Sequence, residues 1–483
     1  MMSSEISALH TDLYQLTMMQ GYYATGHNPE AVFDLFFRQN PFGGGYSIFA
    51  GLHPALEIIE NLRFSESDLV YLKSTGLFQD NFLAMLRDFR FRGDIYAFEE
   101  GSIIFPQEPV LRVHASILEA QLIETISLNM INHQSLIATK ASRIFHAGRQ
   151  KPLLEFGLRR AHGVDGALSA TRAALIGGAE STSNVAAGKD YSVPVRGTMA
   201  HSWVMAFGNE AEAFEKYAEL YPHNTILLVD TYNTLESGIP AAISVLRKLK
   251  EKGITKFGIR LDSGDMEYLT KEARRMLDDA GLVECKILVS NDLDEFIIQE
   301  LESKNSPIDA YGVGTRLITG DGSASFGGVY KLAAIKEGGL FLPRLKVSNN
   351  MEKTTNPGIK NVYRLESGGS YLADLMAMEE ESENIMEKFN RKEPVTFYHP
   401  ASPYEKKIYA HYESATPMLR KRMEKGKRLQ PAPGICDIRA TALSNLEKVH
   451  PSVKRFLNPH VYKVSASENL SRLKFRLLEN HPG

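Results

Sequence analysis

A chain of 483 residues can bury a large core, and ordinary domain sizes divide it into two or three structural units. Its formal charge of −3 argues against broad affinity for nucleic acid or an anionic membrane, while leaving room for a local basic pocket that holds a small polyanion. Two cysteines, Cys285 and Cys436, are too few for a disulfide framework or a four-cysteine zinc site, and no apolar run reaches membrane-spanning length. The start, MMSSEISALHTDLYQL, lacks the basic flank and apolar centre of a secretory signal, so a reducing cytoplasm is the expected location.

Residues 1–145 read as an N-terminal α+β domain. A helix over DLYQLTMMQGYY precedes VFDLFFRQNPFGGGYSIFAG, whose apolar run breaks at a Pro and three glycines, which predicts a strand, a turn and a return. GDIYAFEEGSIIFPQEPVLRVHAS predicts short strands of an antiparallel sheet, and from Ile117 apolar residues three and four apart predict a long helix.

Residues 146–335 carry βα units. TILLVDTYNT, KFGIRLDSGD and KILVSNDLDE each run from an apolar strand to a charged end before a helix, and IDAYGVGT supplies a further strand. Strands alternating with helices imply a parallel sheet, and in barrels of that kind the chemistry sits at the carboxyl ends of the strands. Asp230, Arg260, Asp262 and Asp292 are therefore expected around one cavity. Asp262 and Asp292 also suit helix N-caps, with Ser263 competing for the first position. Arg260 and Asp262, two residues apart, share one side of the strand, and a cation beside a carboxylate suits an anionic ring bearing vicinal hydroxyls.

GVGT at Gly312–Thr315 and FGGVYKL at Phe326–Leu332 supply two glycine turns, read as lying at the same barrel end, where backbone N–H groups could approach a phosphate. Carboxylates at Asp262 and Asp292 would hold Mg²⁺ together with substrate phosphates. His201, in PVRGTMAHSWVMAF, is either a satisfied core or cap histidine or a nucleophile or base oriented by Asp230 at the next strand end. There is no G-x-S-x-G elbow, no metal-binding histidine cluster and no Walker A loop.

Residues 336–483 form a C-terminal segment expected to pack partly on the N-terminal domain. GGLFLPRLKVSNN and NVYRLES suggest strands, and the basic run Arg420–Arg428 reads as a solvated helix face rather than a nucleic-acid site, because no aromatic residues interleave its charges.

Taken together, HTDLYQLTM, LLEFGLRRAHG, STSNVAAG, PVRGTMAHS, LLVDTYNT, IRLDSGD, VSNDLDE, YGVGT, FGGVYKL and LKVSNNMEKTTNPGIKNVYRL resemble the nicotinate phosphoribosyltransferase family, in that order and over most of the chain. The resemblance implies an irregular type II phosphoribosyltransferase α/β barrel with a second α+β domain built from both chain ends. It implies attack of nicotinate on 5-phosphoribosyl 1-diphosphate, coupled to ATP as co-substrate through a phosphorylated His201, with Mg²⁺ and a homodimer whose sites are shared. Phe156 and Arg159 match residues at the pyridine ring, Tyr14 an aromatic from a neighbouring subunit, and Arg260 a cation at the nicotinate pocket. Asp262 and Asp292 match residues near ribose and metal-bound diphosphate, while Gly197, Gly314, Thr315, Gly327 and Gly328 match backbone positions around phosphate. Ser183 stands where a nicotinamide-selective relative is expected to carry an Asp, which favours nicotinate; a turn cap is the other reading of this serine. A quinolinate-type or nicotinamide-type enzyme and a non-catalytic metabolite-binding barrel are the alternatives. Some relatives append a metal-binding piece near the C-terminus, and Cys436 alone cannot make one.

Overall fold

The computed structural model describes residues 6–347 and 354–480. Residues 348–353, inside the LKVSNNMEKTTNPGIKNVYRL motif, lie outside them. The chain divides into two compact units, one built from residues 1–136 and 322–483 and the other from 137–321. Helix Glu124–Ala147 runs across the first boundary.

The 137–321 unit is built on one parallel sheet. Its strands are β1 (Leu153–Glu155), β2 (Ser181–Thr182), β3 (Thr225–Leu228), β4 (Phe257–Leu261), β5 (Lys286–Asn291) and β6 (Ala310–Val313), in the spatial order β2-β1-β6-β5-β4-β3. Every adjacent pair is parallel, so all six carboxyl ends face the same way. The strands are short apolar runs because helices between them cover the sheet. The sheet is curled and open, since its edge strands β2 and β3 are not paired with each other. Helix Met266–Asp279 shows how the covering layer forms: Met266, Thr270, Ala273 and Leu277 are buried on one face, and Lys271–Glu267 and Arg274–Asp278 pair along the solvent side.

The other unit carries a seven-stranded antiparallel sheet and a six-stranded mixed sheet. In the first, Glu30–Phe37 pairs with Leu111–Ser116 on one side and Gly328–Glu337 on the other. Two sequence expectations fail here. The stretch after Pro41 does not return onto Glu30–Phe37, because Ser47–Ile48 pairs with Ile103–Ile104 and the central strand's edges are already taken. The basic run is no helix: Arg420–Glu424 and Lys427–Arg428 form a hairpin whose first strand joins Asp94–Ala97. Its turn residues, Lys425 and Gly426, have φ of 47° and 75°, the positive pair a type I′ turn requires.

The core of this unit gathers Phe33, Leu35, Phe37, Phe49, Phe82 and Ile95, all buried. Buried ion pairs in this unit include Lys360–Asp34 at 2.6 Å and Arg364–Asp374 at 2.6 Å. Such pairs suit a buried position only when every charge is matched. No helix among the described residues is long and apolar enough to cross a membrane.

Candidate active site

A cavity of about 440 Å³ opens at the carboxyl ends of the parallel strands. Phe156, Ser183, Asp262, Asp292 and Gly314 enter it from the residues just past β1, β2, β4, β5 and β6, and Arg260 from within β4. Arg159, Gly197 and Thr315 complete the set of expected residues that line it.

Helix capping explains why two carboxylates are free to do so. The cap of Met266–Asp279 is Asp265, whose side chain accepts from the Tyr268 N–H at 3.1 Å. The cap of Glu295–Ser303 is Asp294, which accepts from Phe296 and Ile297 at 3.0 and 2.8 Å and also binds the Arg316 guanidinium. Neither Asp262 nor Asp292 serves as a cap. Asp262 Oδ1 instead accepts from the Ser290 hydroxyl, and Asp292 is exposed to the cavity.

Arg260 donates through Nη1 to Thr198 Oγ1 at 2.5 Å, while its buried Nε has no hydrogen-bond partner among the described residues. Burial pulls its pKa down, Asp262 and Asp230 hold it up, and Arg159 pushes it down again. The guanidinium is thus cationic, fixed at one corner and unsatisfied at another, which suits recognition of a carboxylate.

The Phe156 ring rests on the backbone of β6. A Cβ at Gly312 would lie 2.6 Å from that ring, so this glycine makes room for the aromatic wall. Below it Glu155 is fully buried, and its carboxylate accepts from Thr171 at 3.0 Å, from Thr182 at 2.6 Å and from the Gly157 N–H. Those bonds hold the turn that presents Phe156 and Arg159. Ser183 donates its backbone N–H to Glu155 O at 2.9 Å, and its side chain stays on the cavity wall.

His201 begins the short helix His201–Met205 and is half-buried. Its Nδ1 lies 3.1 Å from Thr231 Oγ1, and its Nε2 lies 3.7 Å from Asp262 Oδ2. The expected pairing with Asp230 does not form. Asp230 Oδ2 accepts from the Asp262 N–H at 2.7 Å and from Ser263 Oγ at 2.8 Å, donors on the adjacent strand end that lie nearer than the imidazole. Its other oxygen is buried without a hydrogen-bond partner among the described residues. Asp230 therefore pins the LDSGD turn, and Asp262 is the carboxylate that faces the histidine.

His201 and Asp230 are not among the residues that line this cavity, and neither are three further expected residues. Gly327 and Gly328 belong to the other unit, where Gly328 opens a strand antiparallel to Glu30–Phe37 rather than a late strand of the parallel sheet. A Cβ at Gly328 would meet Asn132 Oδ1, so packing within that unit also calls for glycine there. Tyr14, on helix Leu13–Thr25 of the same unit, is 48% exposed.

Thr198, Thr231 and Ser290 bond Arg260, His201 and Asp262 respectively, and the sequence expectations do not include them. Ser290 precedes Asp292 by two, the spacing that singles out Arg260 and Asp262, so the same period-two argument finds it. Thr198 and Thr231 come from separate turns, and no local pattern marks them.

Comparison with known proteins decides the family. Residues 152–335 match the nicotinate phosphoribosyltransferase (NAPRTase) family, 9–132 its N-terminal domain and 359–474 its C-terminal domain. A nicotinate phosphoribosyltransferase of Bacillus subtilis is 43% identical over 465 residues, 96% of this chain and 93% of that protein. The chain belongs to the nicotinate phosphoribosyltransferase family. A relative of that name from Caenorhabditis elegans is 34% identical, covering 99% of this chain and 95% of its own. The crystal structure of human nicotinic acid phosphoribosyltransferase superposes with a TM-score of 0.81 at 31% identity, over 97% of this chain and 99% of that one. The family's α/β architecture and its curled parallel half-barrel are those of the 137–321 unit described above.

Proposed function

We propose that this protein transfers a phosphoribosyl group from 5-phosphoribosyl 1-diphosphate to nicotinate, giving nicotinate mononucleotide and diphosphate for NAD salvage, with ATP hydrolysis coupled through phosphorylation of His201. The observation that carries this reading is one cavity lined both by Arg260 and Asp262 at one strand end and by a Phe156 ring seated on Gly312. The aromatic face suits a pyridine ring, and Arg260 with Arg159 suits its carboxylate. Ser183 adds no negative charge, which favours nicotinate over nicotinamide.

The ring nitrogen of nicotinate already has a free lone pair. It attacks C1 of the ribose as the bond from C1 to diphosphate breaks and the electron pair leaves with the diphosphate. No general base is needed, so the protein's work is positioning and charge neutralisation. Asp262 stabilises positive charge developing on the ribose, and the backbone at Gly197, Gly314 and Thr315 offers N–H groups to phosphate.

Among the described residues no group of three or more His, Cys, Asp or Glu side chains is gathered to hold a metal. Two nearby carboxylates nevertheless fit Mg²⁺, which is usually bound through one or two carboxylates plus substrate phosphates. Asp262 and Asp292 would hold it, and the ion would neutralise the departing diphosphate.

His201 serves energy coupling. Thr231 on Nδ1 leaves Nε2 directed at the Asp262 side, where a phosphoryl group would be accepted. In our reading the molecule is a cytoplasmic homodimer of the type II phosphoribosyltransferase class, with Tyr14 closing the pyridine site of a neighbouring copy.

The test is a substrate panel of nicotinate, nicotinamide and quinolinate, each with and without ATP, scored by diphosphate release. Nicotinate with ATP is expected to be the best substrate. Quinolinate turnover indifferent to ATP would overturn the reading. His201→Ala is expected to abolish ATP stimulation and retain slow ATP-independent synthesis; loss of both would make His201 a participant in the transfer itself.

A further inference from the structure

The unit formed by the two chain ends holds a second cavity, of about 480 Å³, walled by strands Val395–His399 and Ser402–Tyr409, by residues 461–465 and by helix Glu468–Glu479. The transfer chemistry proposed above makes no use of it. Its volume falls within the roughly 300–1,000 Å³ usual for small-molecule sites.

One part of the wall is apolar and aromatic. Phe397 and Tyr409, both buried, have ring centroids 4.9 Å apart at 42°, and Val464 also lines the space. The remainder is basic. Lys406, Lys407, Lys463 and Lys474 line the space with a single carboxylate, Glu405, and none of the four lysines is ion-paired among the described residues. Elsewhere in this unit the buried cations Lys360 and Arg364 each meet an aspartate.

Two of these groups are buried with an unfinished set of partners. Lys474 is 5% exposed, and its Nζ donates to Asn356 Oδ1 and Pro400 O, both neutral, at 2.9 Å. Burial and the nearby Lys360 pull its pKa down to about 8. Tyr409 is 7% exposed, its hydroxyl has no hydrogen-bond partner among the described residues, and burial pushes its pKa up to about 12. It is thus a neutral donor left without an acceptor. Lys407 Nζ sits 4.7 Å from the Tyr409 ring centroid, so charge and ring occur side by side.

We propose that this cavity is a second small-molecule site, for a phosphate-bearing ligand of mononucleotide size whose phosphate meets the lysines. An unmatched cluster of cations favours an anion, and a space of this volume holds more than a phosphate alone.

The experiment is photolabelling of the full chain with 8-azidoadenosine 5′-monophosphate, followed by peptide mapping. Adducts are expected in residues 395–409 or 461–474, protected by adenosine monophosphate better than by inorganic phosphate or adenosine alone. Lys407 and Lys463 are exposed, so the pair Lys407→Glu and Lys463→Glu should fold normally, leave nicotinate turnover unchanged and reduce this labelling by about tenfold. Adducts confined to residues 153–315, labelling equal in the double variant, or full protection by inorganic phosphate alone would each overturn the proposal. Labelling outside the parallel-sheet cavity is read independently of catalysis, so failure of the transfer reading leaves this test intact.

Discussion

Asp265 and Asp262 stand three residues apart and do different work. Asp265 satisfies an orphan N–H of helix Met266–Asp279, whereas Asp262 bonds Ser290 and faces His201. Removing a capping side chain costs about 1 kcal/mol, so Asp265→Ala should lower unfolding free energy by that amount in a denaturant titration and leave kcat nearly unchanged. Asp262→Asn keeps the shape and removes the charge, so it should hold its stability and lose about a hundredfold in kcat/KM. Equal destabilisation by the two variants would return Asp262 to a structural role. The sequence already marked Arg260, Asp262 and Asp292, because a charged residue ending an apolar parallel strand is a local pattern. It could not mark which group each one meets. Asp230 and His201 both follow strand-like segments, yet the donors that Asp230 meets belong to Asp262 and Ser263, contacts that depend on how neighbouring strands are aligned.

Elements followed the same division between local and distant information. The parallel strands were legible as apolar runs with polar ends, and helix Leu13–Thr25 as a continuous helical stretch. Strand Gly328–Glu337 was assigned to the barrel because it follows the βα units in sequence, but its partner Glu30–Phe37 lies some 300 residues earlier and no local signal connects them. The hairpin at Arg420–Arg428 was obscured by its charges, although Lys425 and Gly426 supply a residue type that a tight turn accepts. At the site, the junction of β6 with the turn after β1 is testable through two glycines. A Cβ at Gly312 would press within 2.6 Å of the Phe156 ring, whereas one at Gly197 would meet nothing within 4 Å. Gly312→Ala should displace the ring and raise KM for nicotinate several-fold, with a smaller effect on the phosphoribosyl substrate. Gly197→Ala should leave the melting temperature unchanged and raise KM for the phosphoribosyl substrate. A Gly312→Ala enzyme with wild-type KM for nicotinate would mean that Phe156 does not form the pyridine wall.

Stability of the molecule as a whole should carry an acid limb that begins well above the usual carboxylate range, and His114 is its source. This residue sits on strand Leu111–Ser116 beside Tyr96 and Phe341, and its Nε2 is buried without a hydrogen-bond partner among the described residues. Burial first, and the Arg112 guanidinium second, bring its pKa from 6.5 to about 3; Lys421 acts in the same direction and Asp94 opposes them. Between those two values the unfolded chain binds a proton that the folded chain refuses. Stability is therefore fully present above pH 6.5 and falls as pH drops toward 3, with a slope of at most about 1.4 kcal/mol per pH unit for one proton. Asp68 and Asp94, whose pKa values lie below the ordinary carboxylate value, add their own losses only at lower pH. Glu108, whose carboxyl burial holds well above the ordinary value, works in the opposite direction as pH falls, so the histidine's share is read from thermal melts between pH 7 and 5 by comparison with a variant. His114→Phe keeps the aromatic contacts without the titrating nitrogens and should flatten the slope in that window, while leaving nicotinate turnover at pH 7 unchanged because His114 does not line the catalytic cavity. An unaltered slope in His114→Phe would assign the acid limb to other groups.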